Sequence, residues 1–295
     1  MKKIELLSPA GSMEALKSAI HNGADAVYLG GKRFGARAFA QNFSDDELIE
    51  AINYAHIYDV KIYITVNTII YDDEFDDALN FIEFLYKNNV DALIMQDIGL
   101  INAVHKKFPD LVIHASTQCH NHNKENIEFL KKIGVSRIVL DREMSLDEIN
   151  NLKIDIEKEI FIHGALCISY SGCCLMSYLN GGRSGNRGEC TGCCRLPYKL
   201  IKNDKEYKTN GDFLLSTMEL NTSKKIKEIL ASDVISLKIE GRMKSPEYVG
   251  FITKYYRNLI DGKHNVEEDE KKLRLLFNRD FTECYLFNAK NIMNI

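Results

Sequence analysis

The chain has 295 residues, enough for one large domain or two small ones. Its 45% hydrophobic and 27% charged content is that of an ordinary globular protein, and four prolines with no low-complexity tract exclude long disorder. A formal net charge of −4 argues against a protein that coats nucleic acid non-specifically, while leaving room for a local basic patch.

The opening MKKIELLSPAGS has two lysines but no apolar run and no small-residue cleavage site. It reads as a first strand, not a signal peptide. No apolar run approaches the length of a membrane span. The expectation is a cytoplasmic protein with no membrane partner.

Short apolar runs then alternate with amphipathic stretches. They predict strands at Ile4–Leu7, Ala26–Leu29, Lys61–Val66, Ala92–Met95, Val112–Ala115, Arg137–Leu140, Glu159–Ile162 and Val234–Lys238. Between them, 3.6-residue periodicity predicts helices at Met13–His21, Asp45–Ile57, Glu74–Asn88, Ile98–Lys107, Lys124–Lys132 and Leu146–Leu152. Ser145 with Glu148 three residues on is a capping box. This β-α rhythm implies a parallel sheet with helices outside. Eight strands suit a (β/α)8 TIM-like barrel; a doubly wound open sheet is the alternative.

Polar residues follow nearly every predicted strand: Ser8, Lys32, Asn67, Gln96 with Asp97, Ser116 and Gln118, Asp141-Arg142-Glu143, His163, and Glu240 with Arg242. A barrel gathers such residues at one mouth, where chemistry is carried out. Arg37, Arg142 and Arg242 each follow a predicted strand end, where they face the shared mouth or else form ion pairs with Glu143 or Glu240. Asn67, Gln118 and Glu240 are further substrate-binding candidates. His163 and His114 are candidates for proton handling, with Arg142 beside them. His114, Cys119, His120 and His122 form a second cluster, read as a polar substrate wall ahead of a nitrogen-rich metal site. Gly30, Gly31 and Gly35 read as a turn more than a phosphate loop.

The rhythm breaks between about 164 and 225. This stretch is rich in Gly, Cys and Ser and then suggests a hairpin with Asn210-Gly211 close to its end. It reads as an insertion between the seventh and eighth strands, within a barrel spanning 1–265. Pro246–Leu259 is the last predicted helix, and 266–295 reads as a short C-terminal element. Lys199, Lys202, Lys205 and Lys208 offer a basic surface or, more simply, a solvated hairpin face.

Eight cysteines are present and six lie in the insertion: Cys167, Cys173, Cys174, Cys190, Cys193 and Cys194. In a reducing compartment, cysteines clustered among glycines point to metal ligation rather than disulfides. An iron–sulfur cluster fits, with zinc as the alternative. Cys119 and Cys284 are isolated and read as ordinary thiols. There is no H-E-x-x-H helix, G-x-S-x-G elbow or P-loop.

The segment EIFIHGALCISYSGCCLMS resembles the signature of the collagenase-like peptidase family U32. The LLSPAGS…FAQNFS stretch, HASTQ, KIEGRMKS and LFNRDFTECYLF resemble that family as well. The resemblance spans nearly the whole chain. It implies either proteolysis, for which the family is named, or oxygen-independent hydroxylation by iron–sulfur members. Those members act on a tRNA wobble uridine, a ribosomal RNA cytidine or a ubiquinone precursor, with prephenate as the implied oxygen donor. The family's cysteine pattern selects Cys167, Cys174, Cys190 and Cys194 as ligands of a [4Fe-4S] cluster, leaving Cys173 and Cys193 as extra neighbours. It also implies a prephenate-like small molecule, a tRNA, and a paralogous member in a heterodimer as partners. A non-catalytic iron–sulfur subunit is a further expectation.

Overall fold

A computed structural model describes residues 4–263, 266–277, 279–289 and 291–293. In chain order it runs β1 (Glu5–Pro9), α1 (Met13–His21), β2 (Ala26–Leu29), α2 (Asp45–Ile57), β3 (Lys61–Val66), α3 (Phe75–Lys87), β4 (Ala92–Met95), α4 (Ile98–Lys107) and β5 (Ile113–Ala115). Then come α5 (Lys124–Lys132), β6 (Val135–Val139), α6 (Leu146–Asn151), β7 (Glu157–Ala165), α7 (Met176–Gly181), β8 (Leu200–Lys202), β9 (Lys205–Tyr207) and β10 (Glu219–Asn221). The order ends with α8 (Ile226–Leu230), β11 (Ser236–Ile239), α9 (Pro246–Ile260), α10 (Val266–Leu276) and β12 (Phe281–Thr282).

Strands β1 to β7 pair in sequence order, all parallel, and β11 pairs with both β7 and β1, which closes the ring. The eight barrel strands are the eight predicted ones, so the barrel holds and the open sheet falls. Local chemistry explains the helix starts. Ser44 with Glu47 and Ser145 with Glu148 form reciprocal capping boxes, and Ser245 caps α9 ahead of Pro246. The helices bury 3.6-spaced apolar stripes such as Leu48, Ala51, Ile52 and Ala55 against the outer strand faces.

Inward-facing residues form a separate small cluster: Leu7, Ala26, Tyr28, Tyr63, Ala92 and Ile94. Below them the barrel floor is ionic. Glu159, fully buried, accepts from Lys238 at 2.9 Å, Ser236 at 3.2 Å and Arg137 at 3.4 Å. Arg137 also reaches Glu5 at 2.5 Å and Glu157 at 2.8 Å, while the Tyr63 hydroxyl donates to Glu5 at 2.6 Å. Burial alone would raise the Glu5 carboxyl, but Arg137 more than offsets that and holds it below its ordinary value.

The insertion leaves from β7, which runs on past the barrel rim. There β10 pairs with it antiparallel, Ala165 against Glu219, and β12 pairs with β10. Gly164, at φ +104°, makes the departure; a Cβ there would lie 2.4 Å from the Glu240 carbonyl oxygen. The hairpin turn falls at Asn203-Asp204, both at positive φ as a two-residue type I′ turn requires, rather than beside Asn210-Gly211. The C-terminal segment is woven into this annex: the Met218 amide donates to the Ile292 carbonyl, and Thr217 bridges Met293. Among the described residues no helix is long and apolar enough to cross a membrane.

The floor makes a testable demand. Arg137→Met strands Glu5 and Glu159 as uncompensated buried carboxylates and is expected to cost about 3–5 kcal/mol in urea unfolding. Glu157→Gln, at a half-exposed partner, is expected to cost under about 1 kcal/mol.

Candidate functional site

At the mouth Glu240 is the centre of charge. Arg142 donates to its Oε2 at 2.9 Å and Arg37 lies 3.6 Å from the same oxygen. Burial would raise the Glu240 carboxyl, but Arg37 and Arg142, helped by Lys238 and Arg242, keep it below its ordinary value. The Arg142 guanidinium rests on the Phe161 ring, 4.0 Å from its centroid. Arg242 is nearly inaccessible and spends its donors on Thr65 at 3.1 Å and Asn42 at 2.6 Å. Burial, with Arg37 nearby, pulls it down to about 10, so it stays charged at neutral pH. Gly30 is small because Arg242 crosses it: a Cβ there would sit 2.3 Å from Nη2. Close approach of an arginine, not phosphate binding, therefore explains Gly30.

Asn67 accepts from the Ala36 amide at 3.0 Å and so fixes the loop that carries Arg37. At the ends of β4 and β5, Gln96 Oε1 and Gln118 Oε1 are buried without a hydrogen-bond partner among the described residues, as are Nε of Arg142 and Arg242. Three guanidiniums, one carboxylate and several unspent polar atoms make a mouth suited to an anionic ligand with more than one acceptor group.

The insertion is strapped across this mouth. The Ala38 amide donates to the Gly188 carbonyl at 3.1 Å, and Gly188 packs onto the backbone of Gly35 so closely that a Cβ would lie 2.5 Å from its oxygen. Arg187 donates to Ile69 and forms a bidentate pair with Glu74 at 2.5 and 2.6 Å. On the other side Ser171 donates through its amide and hydroxyl to Glu143.

Four of the six insertion cysteines share one neighbourhood. Burial raises the Cys194 thiol, Arg195 opposes this, and its neighbours Cys167, Cys190 and Cys174 raise it further. Gly185 lies against both the Cys174 carbonyl and the Cys190 Cβ, each 3.9 Å from where its own Cβ would stand. Glu240 raises Arg37 above its ordinary value against the opposing effect of burial. The two remaining cysteines turn elsewhere: Cys173 Sγ is 3.6 Å from His120 Nδ1, and Cys193 Sγ is 2.9 Å from the Thr191 hydroxyl. Among the described residues no three His, Cys, Asp or Glu side chains converge closely enough to hold a single metal ion. Cys119 and Cys284 are buried, and burial pushes their thiols up to about 12 and about 11.

Sequence reasoning missed the residue that assembles this set. Arg195 donates to the Leu166 carbonyl at 2.6 Å, the Thr217 carbonyl at 2.5 Å, the Thr217 hydroxyl at 2.9 Å and Ser216 at 2.8 Å. Leu166 precedes Cys167 and Arg195 follows Cys194, so the clamp holds two cysteines together across 27 positions of chain. Ser177, buried in α7, receives the Thr191 amide at 3.1 Å and ties the Cys190 loop to α7, just beyond Cys174. The signal in sequence was adjacency to a cysteine, which marks no role by itself.

The histidines separate. The expectation that His163 serves the mouth is corrected: a register shift between β7 and β11 turns it outward among Tyr248, Tyr256 and Phe281, with Nδ1 3.3 Å from the Tyr256 hydroxyl. Burial pulls it down to about 3. His114 lies inside the barrel, edge-on to Tyr63 at 4.7 Å, and burial with Arg137 keeps it neutral. Neither is built to exchange protons at neutral pH. His122 pairs with Asp141 at 3.0 Å and His120 with Cys173, so the HASTQCHNHN histidines do not converge.

Comparison with known proteins follows the same outline. The model of peptidase family U32 matches residues 11–294. The chain belongs to peptidase family U32. A U32 peptidase of known structure superposes with a TM-score of 0.55 at 11% identity, over 82% of this chain and 94% of that one, which speaks for the fold alone. Among U32 relatives, a 23S rRNA 5-hydroxycytidine synthase of Escherichia coli is 43% identical over 88% of this chain and 40% of its own. The tRNA hydroxylation protein P1 of Bacillus subtilis is 39% identical over 88% of this chain and 64% of its own. A collagenase of Porphyromonas gingivalis is 31% identical over 97% of this chain and 74% of its own. The chain thus spans about two fifths to three quarters of these U32 relatives.

Two measurements check the local chemistry. Arg195→Ala is expected to speed limited proteolysis within 166–216 by about ten-fold or more while the barrel's circular dichroism is unchanged, because clamp bonds of this charged kind are each worth about 1.5–3 kcal/mol. His163 takes a proton in the unfolded chain at about its ordinary 6.5 but not in the folded one until about 3. The unfolded state therefore binds more protons across that window, and stability falls as pH is lowered through it. His163→Phe is expected to flatten that slope in urea titrations between pH 6.5 and 4, with His114 supplying what remains.

Proposed function

We propose that this chain is an iron–sulfur protein of oxygen-independent RNA hydroxylation, acting on a tRNA wobble uridine with a prephenate-like dicarboxylate as oxygen donor. The observation that carries the reading is that the cysteine-bearing insertion is strapped across the arginine-lined barrel mouth, through Gly188 on Gly35, Arg187 on Glu74 and Ser171 on Glu143. The relatives named for tRNA and rRNA hydroxylation support the nucleic-acid substrate.

The donor set suits a cluster. Cys167, Cys174, Cys190 and Cys194 offer four sulfur donors from glycine-rich backbone, a donor set that suits an iron–sulfur cluster, with zinc as the alternative. Bound there, such a cluster supplies electron transfer. The chain's own residues do the rest. Arg37 and Arg142 hold the carboxylates of the donor, competing with Glu240 for it, and Gln96 and Gln118 offer unspent acceptors for its hydroxyl or for the base. Arg242, locked beneath them, adds charge without moving. The straps at Gly188, Arg187 and Ser171 keep the mouth and the cysteines in one frame.

Expression in a strain lacking its own hydroxylase relative, followed by mass spectrometry of tRNA, is expected to restore hydroxyuridine. A loaded cluster with no restored modification sinks the tRNA version. Iron and sulfide content after anaerobic purification is expected to collapse in Cys174→Ser and Cys194→Ser and to persist in Cys173→Ser and Cys193→Ser.

One observation favours a second reading, a collagenase-like peptidase. Cys173 and His120 stand 3.6 Å apart on the exposed side of the insertion, the distance of a thiol beside a base. That reading predicts gelatin cleavage lost in Cys173→Ser with iron content unchanged.

A further inference from the structure

The β8–β9 hairpin rises from the insertion just after the cysteines. Its base is fixed: the Tyr198 hydroxyl donates to the Cys193 carbonyl at 3.0 Å and the Tyr198 amide to the Asp212 carbonyl at 2.7 Å. Every residue of both strands is at least half exposed or close to it. A two-stranded ribbon has two faces, and the register separates them. Leu200 opposes Tyr207 and Lys202 opposes Lys205, so these four share one face. Ile201 and Glu206 occupy the other, where Glu206 pairs with Lys199 at 2.9 Å.

The first face is unlike ordinary solvated surface. Two lysines stand directly opposite each other next to the turn, an arrangement that costs stability when nothing anionic lies between them. Neither makes an ion pair among the described residues, although a glutamate sits one position away on the opposite face. Tyr207 and Leu200, each about half exposed at 49% and 51%, lie just behind. The surroundings have the same sign. Residues 166–216 carry seven Lys or Arg against four Asp or Glu, in a chain whose net charge is −4. A phosphate spanning Lys202 and Lys205 with a flat π-surface against Tyr207 relieves the repulsion and covers the ring, which is how single-stranded nucleic acid is held.

We propose that this face of the hairpin is an RNA-docking surface, taking a phosphate between Lys202 and Lys205 and an unstacked base on Tyr207. It delivers an adjoining nucleotide toward the cysteines and the barrel mouth. This rests on the RNA reading above and names the element that engages the substrate.

The test is fluorescence anisotropy of the full chain with a single-stranded oligoribonucleotide and with unfractionated tRNA, across a salt series. The double variant Lys202→Glu with Lys205→Glu is expected to weaken binding more than ten-fold and to lower the salt slope by about 0.7, one single-strand phosphate contact's worth. Tyr207→Ala is expected to weaken it about ten-fold with the slope unchanged. Lys199→Gln, on the other face, is expected to stay within two-fold of wild type. Binding by the double variant within two-fold of wild type overturns the proposal, as does a wild type that binds no RNA. So does a hairpin needed only for vesicles of anionic phospholipid, which marks a membrane as the occupant. RNA bound through this face without hydroxylation upholds the proposal while the hydroxylation reading fails. Hydroxylation undiminished in the double variant does the reverse.

Discussion

Everything distinctive about the molecule depends on how β7 is shared. It pairs with β6 on one side and β11 on the other, closing the barrel, yet continues past the rim to take β10 as a third partner. One strand therefore belongs to two sheets. Gly164 permits the change because its left-handed backbone and missing side chain let the chain pass over the Glu240 carbonyl. A side chain there would collide with the strand bearing the mouth's only described carboxylate that two arginines share. The insertion is thus anchored at its root by barrel geometry rather than tethered by a free loop.

Charge is arranged in layers along the barrel axis. At the floor, acids and bases nearly balance and are consumed by one another: Glu5, Glu159, Arg137 and Lys238 leave little to offer a ligand. At the mouth, Arg37 and Arg142 share the carboxylate of Glu240 with Arg242 close by, while Asp141 and Glu143 are taken up by His122 and Ser171. Positive charge that is not internally cancelled is retained only where something outside can cancel it. Arg37, more exposed than Arg142, stands at the edge of this group and faces the same Glu240 oxygen.

The barrel was legible because βα units are local. The periodicity of each strand and helix, with capping serines at 44, 145 and 245, carries its own instruction, and all eight barrel strands lie within a few residues of their expected bounds. The strand-end polar residues were legible for the same reason, since a closed parallel barrel sends every strand end to one rim. What was hidden lies in long-range contacts. His163 follows the alternation of a predicted strand, but a register shift turns it outward, and no local pattern announces such a shift. Arg195 is one arginine among several until Leu166 and Thr217 are brought to it. The choice among adjacent cysteines is what family resemblance implies, since spacing alone does not separate Cys173 from Cys174 or Cys193 from Cys194.

The annex sheet also sets an order of events during synthesis. Arg195 clamps Leu166 to Thr217, but Thr217 is held in turn by residue 293, and β10 by β12 at 281–282. Ribosomes deliver the chain from its N-terminus at about 5–20 residues per second. The six insertion cysteines emerge by residue 194, and the strand that completes their support emerges roughly ninety positions later. For several seconds the thiols exist on a nascent chain whose frame is unfinished. The stretch that carries the cysteines therefore reaches its native frame only once residues 281–293 have joined β10 and Thr217.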